Sequence, residues 1–119
     1  MRSRYGESMP DAVPGSPAPA PFGLVVRFEL HPGQEAAFDD LVSRTVRAIA
    51  EHEPGTLVYA THTVTGSPSS RVFYELYADR AAFDAHEQTE HTRAFLAERE
   101  RFVASVEVAF LGPGVSSIR

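Results

Sequence analysis

The chain has 119 residues, of which 43% are hydrophobic, and its formal net charge at neutral pH is -5. A chain of this length can bury one hydrophobic core, and the absence of cysteine excludes disulfides, thiolate nucleophiles and cysteine-ligated metals. Its arginines form no basic cluster, and no apolar stretch approaches the roughly 20 residues that cross a bilayer. We therefore expect no nucleic-acid or membrane partner, and we expect a cytoplasmic location.

The first 21 residues differ in composition from the rest of the chain, because proline recurs and large apolar side chains are few. Such a segment buries too little surface to offset the entropy lost on ordering, which predicts a disordered, proline-rich extension over residues 1–21, or a start codon placed too early. A docking motif is the alternative, since residues 17–21 favour extended polyproline geometry. The folded domain is predicted over residues 22–113, followed by a tail over residues 114–119.

The first predicted elements are a strand over residues 22–30 and a helix over residues 34–52. The strand is apolar on both faces near its middle, which is typical of a central strand. The helix places apolar side chains at spacings of three and four, with charged residues between them. Pro54 and Gly55 then end it, because proline cannot continue the hydrogen-bond ladder and glycine tolerates a turn.

Two β-rich runs follow the helix. Residues 56–64 alternate in side-chain character and lead into a turn predicted over residues 66–70. Residues 71–78 form a second run of the same kind. The two runs are therefore expected to pair as an antiparallel hairpin.

The last part of the chain contains signals for two more helices and a strand. Asp79 suits the N-cap of a short helix, and either Thr89 or Thr92 can cap another. A final strand is predicted over residues 105–111. The order strand, helix, strand, strand, helices, strand predicts the α+β, ferredoxin-like split βαβ fold with a four-stranded antiparallel sheet.

Helices on one face of such a sheet leave the other face uncovered. Val72, Tyr74 and Leu76 make that face apolar, and an exposed apolar patch of this kind usually marks an interface. Pairing two such faces into a homodimeric α+β barrel is the simplest closure. We therefore expect a homodimer.

Five short motifs occur in a fixed order along the predicted domain. They are Pro32-Gly33, EPGTLVY over residues 53–59, YELYAD over residues 74–79, AFDAH over residues 82–86 and TEH over residues 89–91. In this order and spacing they resemble the antibiotic biosynthesis monooxygenase family of dimeric α+β barrels. The resemblance spans roughly residues 22–113.

The resemblance implies a homodimer with a pocket between sheet and helices and, in the enzymatic members, oxygenation of phenols or quinols without metal or flavin. Fold alone does not fix function, so a non-catalytic module that binds a small ligand or haem, or an isomerase of the same fold, stays open. The family's haem-degrading branch relies on asparagine, tryptophan and histidine. This chain has neither asparagine nor tryptophan, and Tyr77 stands where the tryptophan would be. The haem-degrading branch is therefore disfavoured, and haem binding with a histidine on the iron stays open as a separate alternative.

Oxygenation without a cofactor requires an apolar pocket, a base and a donor that holds the resulting anion, and histidine and tyrosine suit these tasks. We predict His86, Tyr77 and His62 as catalytic residues. The predicted substrate is a hydroxylated polycyclic aromatic, quinol or polyketide-like compound, with molecular oxygen as co-substrate and no cofactor. The residues predicted to bind that substrate are Phe73, Glu75, Arg71, Phe38 and Tyr59.

The histidines also have structural interpretations. His86 and His91 can tie a helix junction together through hydrogen bonds, and His62 near a strand end can be a solvated edge residue. The spacing of His86 and His91 does not fit the zinc-protease signature, whose second histidine stands four residues after the first, where this chain has Glu90. We predict no metal site.

The candidates on the third predicted strand have structural interpretations as well. Glu75 lies in an apolar strand and must be paired if it is buried, with Arg27 or Arg71 as the expected partner. A structural ion pair is then the alternative to a catalytic carboxylate. Tyr77 and Phe73 are equally suited to a core and to a pocket wall.

Overall fold

The computed structural model describes residues 20–119, so all but the last two residues of the predicted extension over residues 1–21 lie outside the described part. The elements in chain order are β1 (Phe22–Leu30), α1 (Glu35–His52), β2 (Thr56–Val64), β3 (Ser67–Tyr77), α2 (Arg80–Gln88), α3 (Glu90–Glu98), a 3-10 turn (Arg99–Arg101) and β4 (Val103–Leu111). The strands form one antiparallel sheet in the order β2-β3-β1-β4. The predicted ferredoxin-like fold class is confirmed.

The sheet has one face covered by the helices and one uncovered face, which we call the open face. Strand β1 is central, as predicted, and alternates between the two faces: Leu24, Val26 and Phe28 are fully buried beneath the helices. The residues on the open face, placed by the strand register, include Val25, Arg27, Val58, Ala60, Val72, Tyr74, Leu76 and Ala109. No helix in residues 20–119 combines the length and apolar character needed to cross a membrane.

An aromatic cluster fills the space between the sheet and the helices. Phe28 of β1 is its centre, and its ring centroid lies 4.7 Å from that of Phe73, 5.3 Å from Phe38 and 6.3 Å from Phe95. These rings come from β1, β3, α1 and α3. Their burial holds the helices against the sheet, because fully buried aromatic side chains contribute the largest apolar areas to a core.

Both predicted helix caps are present. The Asp79 carboxylate accepts a hydrogen bond from the Ala82 backbone N–H at 2.8 Å and caps α2. Thr89 caps α3, accepting from the Thr92 N–H at 3.3 Å, so Thr89 rather than Thr92 begins that helix. The two caps fix the junction at which α2 ends and α3 begins.

Two predicted boundaries are wrong. The turn predicted over residues 66–70 belongs largely to β3, which begins at Ser67. Within residues 66–70, only Gly66 has the positive φ, 80°, of a tight turn. An irregularity in the β2–β3 register accommodates Pro68, which cannot donate to the ladder. Strand β4 begins at Val103 instead of residue 105, because the 3-10 turn ends the preceding helix early.

Gly55 brings the start of β2 unusually close to α2. Its carbonyl accepts a hydrogen bond from the Ala78 N–H at 2.9 Å, and a Cβ at Gly55 would lie 2.8 Å from the Cβ of Ala82. Its φ is not positive, so the glycine is needed for close approach and not for a left-handed turn. This approach positions Glu53, two residues earlier, beside the α2–α3 junction.

Gly55→Ala should destabilise the protein by about 1 to 3 kcal/mol, because the added methyl overlaps Ala82 and forces β2 and α2 apart. Gly112→Ala is the matched control, since nothing lies within 4 Å of a Cβ there. Urea unfolding of both variants measures the effect. Equal unfolding midpoints for the two variants would contradict the close-approach role.

Candidate active site

Glu53 connects three segments of the chain through one buried carboxylate. It follows α1 as its C-cap residue, and its side chain is only 5% exposed. Its Oε1 accepts hydrogen bonds from Thr56 Oγ1 and His86 Nδ1, both at 2.7 Å, and its Oε2 contacts His91 Nε2. The end of α1, the last turn of α2 and the first turn of α3 therefore meet at this residue.

The Glu53 carboxylate is ionised near neutral pH. Burial on its own raises the pKa of Glu53, but hydrogen bonds from His86, Thr56 and His91 outweigh burial and hold that pKa below its usual value. An ionised carboxylate only accepts hydrogen bonds, so the His86 nitrogen that faces it carries a hydrogen. The carboxylate thus fixes the tautomer of a neutral His86 as Nδ1–H.

The other ring nitrogen of His86 is the most reactive atom of this arrangement. In the Nδ1–H tautomer, Nε2 has a free lone pair and can accept a proton. Among the described residues it is buried and has no hydrogen-bond partner. A carboxylate behind a histidine orients the ring and stabilises the imidazolium that forms on protonation. His86 is therefore equipped to act as a base.

Glu75 and Tyr77 form a second buried polar pair, on the helix-facing side of β3. Both side chains have zero exposure. Tyr77 Oη donates a hydrogen bond to Glu75 Oε1 at 2.5 Å, and Glu75 Oε2 has no hydrogen-bond partner within the described part of the chain.

The arginine partner predicted for Glu75 is wrong. Arg27 lies on the open face, where it binds Glu29 at 2.7 Å. Arg71 shares the helix-facing side with Glu75, but its guanidinium binds the Asp39 carboxylate at 2.8 and 2.9 Å. Glu75 is consequently a buried carboxyl group whose hydrogen bond comes from a neutral phenol.

Burial controls the protonation of Glu75. It raises the pKa of this carboxyl from 4.5 to about 7, while the Tyr77 hydrogen bond and the positive charge of His86 in its protonated form lower it by less, and Glu87 and Glu53 add to the increase. Near neutral pH, Glu75 is therefore able to gain or lose a proton.

The two polar pairs lie around the same aromatic side chains. The His86 ring centroid is 5.2 Å from that of Tyr77 and 5.7 Å from that of Tyr59. Tyr59 is also the cross-strand partner of Glu75, and Tyr77 is its hydrogen-bond donor. The structure thus brings together His86, Tyr77, Glu75 and Tyr59, four of the residues predicted to form the site.

The cluster is closed in this structure, but a depression adjoins it. The depression has a volume of about 320 Å³ between α1 and β2, and Glu53 and Tyr59 form the part of its wall that lies toward His86. Apolar side chains that include Val46, Ile49 and Leu57 line the rest. Tyr59 is only partly buried, and its ring lies between the open side of this depression and the His86 ring, whose centroid is 5.7 Å away.

The other predicted site residues lie outside this cluster, although the Phe73 ring contacts Tyr59 with a centroid distance of 5.9 Å. Phe38 and Phe73 belong to the aromatic core, with ring centroids 6.1 Å apart. His62 is opposite Val72 on the open face and is not brought to the His86 cluster. A second depression of about 240 Å³ lies farther along α1 and β2, lined by Asp39, Val42, Ser43, Thr61, His62, Thr63, Arg71 and Phe73. The catalytic role of His62 stays a prediction.

Glu53 is the site residue that sequence reasoning missed. Its partner His86 is 33 positions away in the chain, so no local spacing reveals the contact. One local signal was available: Glu53 stands between the end of a helix and Pro54-Gly55. A residue that only ends a helix can be polar and uncharged, so a carboxylate at this position indicates a further partner. In residues 20–119, no group of three or more histidine, aspartate or glutamate side chains is arranged to hold a metal ion.

Glu75→Gln should stabilise the protein above neutral pH. The unfolded chain ionises this group above about pH 4.5, whereas the folded protein favours the neutral acid up to about pH 7. Its contribution to stability is complete below the unfolded pKa and is lost as the pH rises through the folded pKa. The variant cannot ionise, so its advantage in unfolding free energy should grow by on the order of 3 kcal/mol between about pH 5 and about pH 8. Urea unfolding at both pH values measures this, and parallel pH dependences would refute it.

Comparison with known proteins places this arrangement in a family. A solved structure from Bacteriodes thetaiotaomicron VPI-5482, which bears the name of the antibiotic biosynthesis monooxygenases, has a TM-score of 0.78 and 20% identity, covering 84% of this chain and 95% of that one. The structure of Rv0793 from Mycobacterium tuberculosis has a TM-score of 0.75 and 22% sequence identity, and the match covers 83% of this chain and 100% of that one. The structure of PA3566 from Pseudomonas aeruginosa has a TM-score of 0.73 and 25% sequence identity, and the match covers 81% of this chain and 96% of that one. These likenesses show the shared fold.

The family assignment rests on the sequence as well. None of the curated proteins that were compared matches the chain. The family model described as antibiotic biosynthesis monooxygenase matches residues 21–98, which is more than half of the 119 residues. It includes β1 through α3, and with them Glu53, Glu75 and His86. The chain belongs to the antibiotic biosynthesis monooxygenase family.

Proposed function

We propose that the protein is a cofactor-independent monooxygenase that oxygenates a hydroxylated polycyclic aromatic, quinol or polyketide-like substrate. The observation that carries the proposal is the Nε2 of His86, which is buried and has no hydrogen-bond partner in the described part of the chain, on a ring whose Nδ1 is held by the Glu53 carboxylate. Family membership supports the same reaction class. His86 acts as the base, and the substrate supplies the electrons.

The reaction balances without a cofactor. His86 Nε2 removes a proton from the substrate, and the resulting electron-rich anion reduces molecular oxygen as a carbon–oxygen bond forms. A second proton leaves that carbon as the oxygen–oxygen bond breaks, and the outer oxygen departs as water. A CH2 group and one O2 thus become a carbonyl group and one H2O, so the substrate is oxidised and oxygen is reduced.

The surroundings of His86 suit a flat aromatic substrate. The adjoining depression has apolar side chains along α1 and β2, and Tyr59 separates it from the imidazole. A substrate ring that displaces Tyr59 would lie between aromatic side chains, where offset stacking and area burial favour it. Tyr77 supplies a phenol at the same place, whose single hydrogen is donated to Glu75 Oε1 and holds that carboxyl group beside the aromatic side chains.

We also propose that two copies pair through their open faces into a barrel. In the single chain this face presents apolar side chains, including Val25, Tyr74 and Leu76, with Leu111 44% exposed at its edge. An apolar sheet face without a covering layer favours burial against another copy of itself. The site of each copy lies on the opposite side of its sheet, beneath its own helices.

Tyr74→Glu should convert the dimer to a monomer, because it places a charge at the centre of the open face. Arg47→Glu is the matched control, since Arg47 is exposed on α1. Sedimentation equilibrium measures the mass of each variant, and circular dichroism confirms its fold. A monomeric wild type, or a folded Tyr74→Glu dimer, would disprove this mode of assembly.

The oxygenase proposal is tested by oxygen uptake with anthrone and quinol probes in metal-chelated, flavin-free protein. The wild type should consume one O2 per product, and His86→Gln should lower the rate by about 100-fold or more, the usual contribution of a general base. His31→Gln is the control, because His31 is exposed outside the cluster. Tyr77→Phe keeps the ring and should also lower the rate.

The controls separate loss of chemistry from loss of fold. Each variant is checked by circular dichroism and urea unfolding, so a slow but folded variant reports on the reaction. Wild-type rates in folded His86→Gln and Tyr77→Phe would overturn the site. Absence of uptake with every probe, together with a Soret band on haem titration, would favour a haem-binding module instead.

A further inference from the structure

Two buried polar atoms of the site have no hydrogen-bond partner among residues 20–119: Glu75 Oε2 and His86 Nε2. A buried polar atom without a partner is costly, by about 1 to 3 kcal/mol, and is rare in native structures. The two atoms belong to neighbouring groups, since Tyr59 and Tyr77 contact or pair with both residues. A single functional role for Glu75 and His86 would explain why both atoms lack a partner.

The two atoms have complementary proton chemistry. With Glu53 holding Nδ1, His86 Nε2 is an acceptor. With Tyr77 donating to Oε1, Oε2 is the oxygen of Glu75 left to carry the acidic hydrogen when the carboxyl is neutral. One atom therefore takes protons and the other is able to give them. Charged and titratable groups face Glu75 from every side: Tyr77 on β3, Tyr59 on β2, His86 and Glu87 on α2, and Glu53 after α1.

The proton count of the proposed reaction requires such a donor. The base removes two protons from the reacting carbon in each turnover, and the reduced oxygen needs two protons to leave as water. Inside a site closed to solvent, both protons must come from protein groups. His86 gathers protons, so a second group that delivers them and is refilled from His86 completes the cycle.

We propose that Glu75 is the proton donor of this site: its Oε2 protonates the substrate-bound peroxide and then the departing oxygen, and it recovers each proton from His86 Nε2. The proposal rests on the oxygenase function proposed above. In the first transfer, the Glu75 O–H bond breaks and a peroxide O–H bond forms, leaving the carboxylate. In the second, the O–O bond breaks and the released oxygen takes a proton as water.

The ionisation of Glu75 agrees with this role. Burial raises its pKa to about 7, so the acid form is present near neutral pH and its conjugate base can be reprotonated there. A purely structural carboxyl would gain nothing from an unpartnered oxygen, since an apolar side chain of the same size would fill the space without that penalty.

The test divides turnover into its two halves with an anthrone probe. Anaerobic mixing with the probe follows formation of its bound anion by absorbance, and admission of oxygen then starts product formation. Glu75→Gln should form the anion as fast as the wild type and should slow product formation by about 100-fold. Its product-forming step should also lose the decline that the wild type shows as the pH rises through about 7.

Glu35→Gln is the matched control, because Glu35 binds Ser69 far from His86 and should leave both steps unchanged. Wild-type product formation in folded Glu75→Gln, or an unchanged pH profile, would overturn the donor role and leave the oxygenase intact. Absence of anion and oxygen uptake in the wild type would overturn both proposals. Carbon-13 titration of labelled glutamate carboxyls in the free protein adds a readout independent of turnover: a Glu75 carboxyl ionised throughout the neutral range would also refute the donor.

Discussion

The buried carboxylate of Glu53 is the interaction on which the site depends. It joins the end of α1 to the α2–α3 junction through His86 and His91, and Thr56 adds a third hydrogen bond. A carboxylate that is 5% exposed keeps its charge only while these donors remain in place. Removing one partner of such a buried group typically destabilises a protein by about 3 to 5 kcal/mol. The same contacts that stabilise the helix junction therefore orient the proposed base.

This double role reconciles the structural and catalytic interpretations of the histidines. His91 contacts Glu53 from a position that is 17% exposed and serves the junction, whereas His86 is 1% exposed and its Nε2 is buried. A histidine whose only role is to hold two helices together needs one hydrogen bond and apolar surroundings. His86 Nε2 and Glu75 Oε2 are both buried without a hydrogen-bond partner among residues 20–119, and a purely structural contact does not require this.

Most of the fold was predictable from local pattern. The alternation in β1, the three-and-four spacing of α1 and the capping residues Asp79 and Thr89 each act within a few residues. The hairpin boundary was missed because Pro68 normally marks a turn, and only the irregular β2–β3 register allows it inside a strand. Such a register shift depends on pairing across strands and leaves no local signal.

Most residues of the site could be predicted from the sequence, but the hydrogen bonds and ion pairs between them could not. Strand parity places Glu75 and Tyr77 on the face opposite Val72, Tyr74 and Leu76, which the sequence assigns to the uncovered face. The arginine pairing failed because Arg71, four residues before Glu75, is roughly 13 Å away along an extended strand. Arg27 failed because the register of β1 places it opposite Val72, on the open face. Glu53 was missed because its contacts form only when the start of β2 packs closely against α2. That packing depends on Gly55, which lies against Ala82.

The central claim is that ionised Glu53 fixes the tautomer of His86. Nitrogen-15 NMR of labelled histidine in the free protein, somewhat above neutral pH, reads this directly, because protonated and bare ring nitrogens have distinct shifts. We expect a single His86 species with hydrogen on Nδ1 and none on Nε2. A hydrogen on Nε2, or averaging between the two tautomers, would contradict it.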